Sequence, residues 1–235
     1  DKYEFKNYIK EKLGEGYTIP LLGVWESVDE IEFDKLPKSF LLKTNWGGGG
    51  FEGTYIIKDK SSENIDKIKY LFNDWLQPWE NLYYSTILPG YKNILPKIIA
   101  EKYLPISNGM ECRAYCFHGK VKFVLLKKQL NSGLNQTCLT DADFNIMPFV
   151  IRYNPKYYIK HKPECFDKVI ELSEVLSKDF PFVRVDFMIC NEEIYVGELT
   201  FIPCGGYNII KPVDWDTKLG EWLDLSKLNK DYIIN

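Results

Sequence analysis

Val183-Arg184-Val185-Asp186-Phe187 and, after a short polar break, Val196-Gly197-Glu198-Leu199-Thr200 read as two strands of a hairpin turned at Cys190-Asn191-Glu192-Glu193. Side chains of a strand alternate between its faces. Arg184 and Asp186 therefore share one face, as do Glu198 and Thr200, and a short turn places Asp186 nearly opposite Glu198. Cross-strand neighbours lie about 5 Å apart, and two carboxylates that close repel unless a cation sits between them. Mg²⁺ takes oxygen ligands and commonly uses one or two carboxylates together with substrate phosphates. Arg184 on the same face suits bidentate binding of phosphate oxygens. The alternative for the hairpin alone is an exposed face on which Arg184 merely neutralises the acids. Apolar Leu199, Phe201 and Ile202 and the tight Pro203-Cys204-Gly205-Gly206 turn argue instead for acids near a core.

Upstream, Phe40-Leu41-Leu42-Lys43-Thr44-Asn45-Trp46 runs into Gly47-Gly48-Gly49-Gly50. Consecutive glycines let backbone N–H groups approach phosphate oxygens. The lysine precedes the glycines, so this is not a Walker A loop; it fits a lid over a triphosphate with Lys43 as the cation, or a bare glycine-rich hairpin tip. Ile98-Ile99-Ala100-Glu101-Lys102-Tyr103-Leu104 is an apolar strand whose end offers backbone groups and one carboxylate to an adenine, or is a plain strand end.

The chain has 235 residues, 45% hydrophobic and 15% aromatic, which excludes a disordered chain and suffices to bury roughly 70% of its unfolded surface. With 30 basic and 33 acidic side chains, bulk charge gives a nucleic-acid partner no support. Six cysteines lack any C-x-x-C spacing and only His118 and His161 are available, so no zinc site is expected. The thiols read as reduced and cytosolic, with Cys112 and Cys116 as buried thiols of one strand. No apolar run approaches the ~20 residues of a membrane span. The chain opens Asp1-Lys2-Tyr3-Glu4-Phe5, without a signal-peptide pattern or an initiator Met, as a fragment of a longer protein would.

Periodicity predicts helices over 1–13, 65–76 and 165–176, and strands at 19–25, 40–43, 55–57 and 96–104. A hairpin is expected over 111–126 around His118-Gly119, and another over 182–201. Asp29–Leu36 reads as a brief helix or turn, 131–163 as loops and short pieces, and 212–235 as mixed.

The order of these motifs resembles the ATP-grasp superfamily and, within it, the TupA-like (teichuronopeptide biosynthesis) proteins. The matching stretches are Leu36–Asn45, Ile98–Leu104, Tyr115–Lys120, Phe180–Asp186 and Gly197–Pro203. The resemblance implies an α+β fold of two subdomains with antiparallel sheets enclosing ATP. Residues 1–104 would be the amino-proximal part, with a lid at about 38–60, and 105–235 the carboxy-proximal part. The amino-terminal pre-grasp domain would be short or absent. Lys43 would meet the α- or β-phosphate, Gly47, Gly48 and Gly49 would lie in the lid, Glu101, Lys102 and Leu104 would meet the adenine, and Glu111 the ribose, where the family usually has Asp. Asp186 and Glu198 would hold Mg²⁺, with Thr200 where D-alanine–D-alanine ligase places an Asn ligand. Arg184 would stabilise the transferring phosphoryl group. Trp46 replaces a His common at its position.

The implied activity is an ATP- and Mg²⁺-dependent carboxylate–amine ligase working through an acyl phosphate. Its partners would be a small carboxylate or sugar-linked acceptor and an amine, in cell-surface polysaccharide assembly in the cytoplasm. A phosphotransferase with the same metal and lid, and a non-catalytic nucleotide-binding module, are the alternatives.

Overall fold

The computed structural model describes residues 1–46, 53–77, 89–104, 109–130, 132, 134–152 and 158–227. They form two compact units. The first comprises Asp1–Tyr8 and Thr18–Leu104, the second Ile9–Tyr17 and Pro105–Asn235.

In the first unit, β1 (Leu21–Trp25), β2 (Phe40–Thr44), β3 (Thr54–Ile57) and β4 (Ile98–Lys102) make an antiparallel sheet in the order β1-β4-β2-β3. Strand β2 alternates as its apolar pattern dictates: Phe40, Leu42 and Thr44 are buried, while Leu41 and Lys43 are less so. The buried set joins Ile98 and Ala100 of β4 and Ile57 of β3. Helix α2 (Ile65–Trp75) closes this layer with Ile68 and Phe72. Its first turn is held by Asn64, whose side chain accepts from the Lys67 amide, satisfying a helix-end donor. Helix α1 (Glu4–Leu13) ends at Gly14, whose φ of +86° is the left-handed conformation glycine adopts freely. The expected helix or turn at 29–36 is a pair of short 3₁₀ turns, Val28–Glu30 and Phe33–Lys35.

The second unit is built on β5 (Met110–Phe117), β6 (Lys120–Gln129), β7 (Asn135–Thr140), β9 (Phe182–Cys190) and β10 (Glu193–Thr200), in the antiparallel order β10-β9-β5-β6-β7. Two-residue turns join β5 to β6 at His118-Gly119 and β9 to β10 at Asn191-Glu192, all four residues having positive φ. Such turns match the right-handed twist of paired strands. Helix α3 (Phe166–Ser177) covers one face of the sheet, burying Phe166, Val169, Leu172 and Leu176. Cys112 and Cys116 lie buried on that same face. The other face carries an aromatic cluster of Tyr115, Phe117, Phe123 and Phe149, with Trp215 and Trp222 packed against it. Trp215 belongs to α4 (Asp214–Glu221), in the stretch that reads as mixed from sequence. A small antiparallel pair, β8 (Val150–Ile151) with β11 (Ile210–Lys211), completes the unit.

The reading of 131–163 as loops and short pieces is corrected by the six-residue β7. Strand β7, Asn-Gln-Thr-Cys-Leu-Thr, is an edge strand whose first three residues are polar, Asn135 exposed and Gln136 and Thr137 half-buried. Its pairing with the long arm of β6, from Val124↔Thr140 to Gln129↔Asn135, supplies what its own sequence pattern does not. All six cysteines are free. Among the described residues no helix is long and apolar enough to cross a membrane.

Phe72 is fully buried and meets Trp75 edge-to-face at 5.0 Å between ring centroids. Phe72→Ala is expected to destabilise the first unit by about 3–5 kcal/mol, read as a lowered urea midpoint.

Candidate functional site

The turn at Asn191-Glu192 fixes the start of the β9/β10 register, Glu193↔Cys190, and the pairing continues to Val196↔Phe187. Carried on unchanged, it would set Gly197 opposite Asp186 and Glu198 opposite Val185, a fully buried residue on the α3 side. Instead a β-bulge falls between Val196 and Glu198, so that Glu198 pairs with Asp186 and Thr200 with Arg184. One extra residue moves every later side chain to the other face. The hairpin thus brings Asp186, Glu198, Arg184 and Thr200 together, and the bulge is what does so.

Arg184 donates through Nε and Nη2 to the two carboxylate oxygens of Asp186, both at 2.6 Å. The same Nη2 donates to Thr200 Oγ1 at 3.1 Å, and the Thr200 hydroxyl donates to Glu198 Oε2 at 3.1 Å. The Arg184 guanidinium also lies over the Tyr115 ring, 6.0 Å from its centroid. On β5, Arg113 stands opposite Asp186 with Nε 3.9 Å from Oδ2, and its Nη2 reaches Glu111 at 2.9 Å. Lys127 lies 3.3 Å from the other Glu111 oxygen. Cations and carboxylates alternate across this face from Lys127 to Glu198. Burial works against the charge of Arg184, but Asp186 outweighs it and holds the guanidinium firmly protonated. Burial pushes the Asp186 carboxyl above its ordinary value, with Arg184 and Arg113 opposing and Glu198 adding to the rise. The bidentate 2.6 Å pairing keeps it an ion-pair partner at neutral pH. The sequence pattern does not single out Arg113 and Lys127, although Arg113 follows Glu111 by two positions in a strand and so shares its face.

In the first unit, Lys43 and Glu101 are diagonal neighbours on β2 and β4, with Lys43 Nζ 2.7 Å from Glu101 Oε2. Lys6, from α1, reaches the other Glu101 oxygen at 2.5 Å and also donates to the Ile19 carbonyl. The Glu101 side chain is 4% exposed and that of Lys43 17%. Burial disfavours charge on Glu101, yet Lys43 and Lys6 together hold its carboxyl below the usual range. Burial pushes the Lys6 ammonium down, with Glu101 resisting. Lys102 is exposed at the end of β4, and Leu104 lies just beyond it, partly buried. Gly47, Gly48 and Gly49 lie outside the described residues. Nothing in the sequence links Lys6 to Glu101 across the intervening chain.

Among the described residues no three His, Cys, Asp or Glu side chains cluster as a metal cage. Asp186 and Glu198, with the Thr200 hydroxyl, form an all-oxygen set of the kind a hard cation takes when phosphates and water complete its shell.

The family model described as TupA-like ATPgrasp matches residues 1–224. The chain belongs to the TupA-like ATP-grasp family. Among solved structures it resembles D-alanine–D-alanine ligase from Bacillus anthracis, at 18% identity and a TM-score of 0.51, over 85% of this chain and 56% of that one. The same enzyme complexed with ATP matches at 17% identity over 95% and 62% of the two chains, TM-score 0.48. Phosphoribosylamine–glycine ligase from Thermotoga maritima matches at 15% identity over 85% and 46%, TM-score 0.48. At 18% identity the likeness to the first ligase is one of fold, and it gives this family member the α+β ATP-grasp fold. The chain spans 56% of the length of the first ligase. No curated protein matches it.

Deleting Gly197 removes the extra residue of the bulge, so Val196↔Phe187 runs directly into Glu198↔Asp186, and Glu198 is expected to keep its place opposite Asp186 without a buried unpaired carboxylate. Gly197→Ala is expected to be tolerated within about 1 kcal/mol, because an added Cβ meets only the Asp186 carbonyl at an ordinary 3.6 Å. Urea unfolding of both variants checks this. The depressed Glu101 carboxyl contributes stability that is fully present above its unfolded value, near 4.5, and is lost as the pH falls through its lower folded value. Glu101→Gln is therefore expected to lower stability at neutral pH and to flatten the acid limb of a stability–pH profile.

Proposed function

We propose that this protein is an ATP- and Mg²⁺-dependent carboxylate–amine ligase. The observation that carries the reading is the Gly197 bulge, which sets Glu198 against Asp186 on the face where Arg184 is held. Family membership supports it independently. Asp186 and Glu198 would hold the Mg²⁺, with Thr200 as a neutral third donor; when bound, the ion supplies charge neutralisation at the β- and γ-phosphates. Glu111, tied to Arg113 and Lys127, is assigned to the ribose.

Lys43 is assigned to the α- or β-phosphate. Glu101 and Lys6 keep its ammonium oriented, and Glu101, Lys102 and Leu104 form the strand end assigned to the adenine. Gly47, Gly48 and Gly49 are assigned to a lid within about 38–60. On this reading residues 1–104 and 105–235 are the two parts of the grasp.

A substrate carboxylate oxygen attacks the γ-phosphorus, the bond to ADP breaks, and an acyl phosphate forms. Arg184 neutralises charge on the transferring phosphoryl oxygens. An amine then attacks the acyl carbon, phosphate leaves, and the amine gives up a proton as the amide forms. The acceptor class proposed is a uronic acid or amino acid used in cell-surface polysaccharide assembly on the cytoplasmic side, with family membership as its support.

Asp186→Asn keeps size and one acceptor oxygen but removes a charge that acts mainly in the transition state. Phosphate release at saturating MgATP with a competent acceptor and amine is expected to fall about 10²–10³-fold or more, with nucleotide affinity less affected. Near-normal release would remove Asp186 from the metal site. Lys43→Ala is expected to weaken binding of a non-hydrolysable ATP analogue in calorimetry; unchanged affinity would count against the lysine assignment. A stable phosphorylated product formed without amine would identify a phosphotransferase instead.

A further inference from the structure

A cavity of about 780 Å³ opens in the second unit, within the range of small-molecule sites. Its floor is a single row of cross-strand neighbours running over all five strands of the sheet: Gln136, Lys128, Met110, Ile189 and Ile194. By strand alternation this row lies on the α3 face, opposite to the face of Arg113 and Asp186. The floor is graded, with an amide and an ammonium at the β7/β6 end and three apolar side chains across β5, β9 and β10. At strand spacings of about 4.8 Å, the step from β6 to β10 spans roughly 14 Å.

The opposite wall is the segment from Tyr158 to Cys165. It is pinned at one end by the parallel bridge of Tyr158 to Thr137 and by buried Ile159, and at the other by Phe166 at the start of α3. Exposed Lys160 and Lys162 add two more ammonium groups on this wall, Lys162 paired with Asp167. The acids at the cavity, Glu164 and Glu192, are exposed, whereas Lys128 is partly buried within the floor. A partly desolvated ammonium beside an amide donor favours an anionic group, and the apolar remainder of the row favours a hydrocarbon or aromatic body.

We propose that this cavity is a second ligand site, distinct from the proposed nucleotide face, taking an elongated organic anion. Its acidic head sits at Lys128 and Gln136, and its apolar body lies along Met110, Ile189 and Ile194. The site does not depend on the ligase reading. Cys165 lines the same cavity, half-buried, and a hydrogen bond with Cys112 pulls its thiol down to about 7, which makes it a chemical reporter of occupancy.

The probe is 8-anilinonaphthalene-1-sulfonate, an anion on an aromatic body, followed by fluorescence on the full chain. Saturable binding is expected, with decanoate displacing the dye and MgADP leaving it bound. Lys128→Glu is expected to weaken dye binding by about tenfold or more. On the unmutated protein, saturating dye is expected to slow iodoacetamide alkylation of Cys165 several-fold, mapped by peptide mass spectrometry, with exposed Cys204 as the unprotected control. Dye affinity unchanged in Lys128→Glu, displacement by MgADP, or alkylation of Cys165 at an undiminished rate would each overturn the proposal.

Discussion

Arg184 grips both oxygens of Asp186 at 2.6 Å, with the arginine side chain only 9% exposed. A buried ion pair of this kind is poor evidence of stability, because desolvation offsets most of the attraction. Its worth here is orientation. The guanidinium also reaches Thr200, and Thr200 reaches Glu198, so one cation fixes three side chains on two strands. Glu198 and Thr200 would not join this pair without the bulge at Gly197, since the turn register alone sends Glu198 to the α3 face. Breaking the grip leaves a buried carboxylate beside another acid, which is the arrangement a sheet core tolerates least.

The first unit solves a similar problem with a different balance. Glu101 is a single carboxylate between two ammonium groups, and its depressed pKa reflects that surplus of positive charge. Around Asp186 cations and carboxylates alternate in equal number, Lys127, Arg113 and Arg184 against Glu111, Asp186 and Glu198, whereas Glu101 is one acid between two bases. The surplus positive charge at Lys43 and Lys6 suits polyanionic phosphates, and the oxygens of Asp186 and Glu198 suit a hard cation.

Elements with strong local periodicity were legible from sequence: α2, β2, β4 and both hairpins fall where their apolar patterns place them. The shared face of Arg184 and Asp186 followed from strand alternation alone. The meeting of Asp186 with Glu198 did not, strictly, because two-residue pairing from Cys190↔Glu193 leads to Gly197, and only an inserted residue corrects the parity. A glycine before an acid in a strand is a weak bulge signal. Edge strand β7 escaped because its stability comes from β6 and not from its own residues. Lys6 escaped because the contact with Glu101 is made by the fold, between a helix at the start of the chain and a strand far along it.

The second unit's alternating charges carry a consequence for how a cation and a phosphate would be accommodated together on the proposed reading. At rest Nε and Nη2 of Arg184 are committed to Asp186 and Thr200. A carboxylate offers about four acceptor positions over its two oxygens, so Asp186 has capacity beyond those Arg184 takes. Were Asp186 and Glu198 to hold a cation between them, its charge would offset the burial and the mutual repulsion that now raise the Asp186 carboxyl. The need for Arg184 as its nearest counter-charge would fall at the same moment. Arg184 would then have donors to turn toward phosphoryl oxygens, without leaving Asp186 uncompensated. Cation binding and phosphoryl recognition would thus be linked through one guanidinium, and Arg113, 3.9 Å from the same carboxylate, would limit the cost of that exchange.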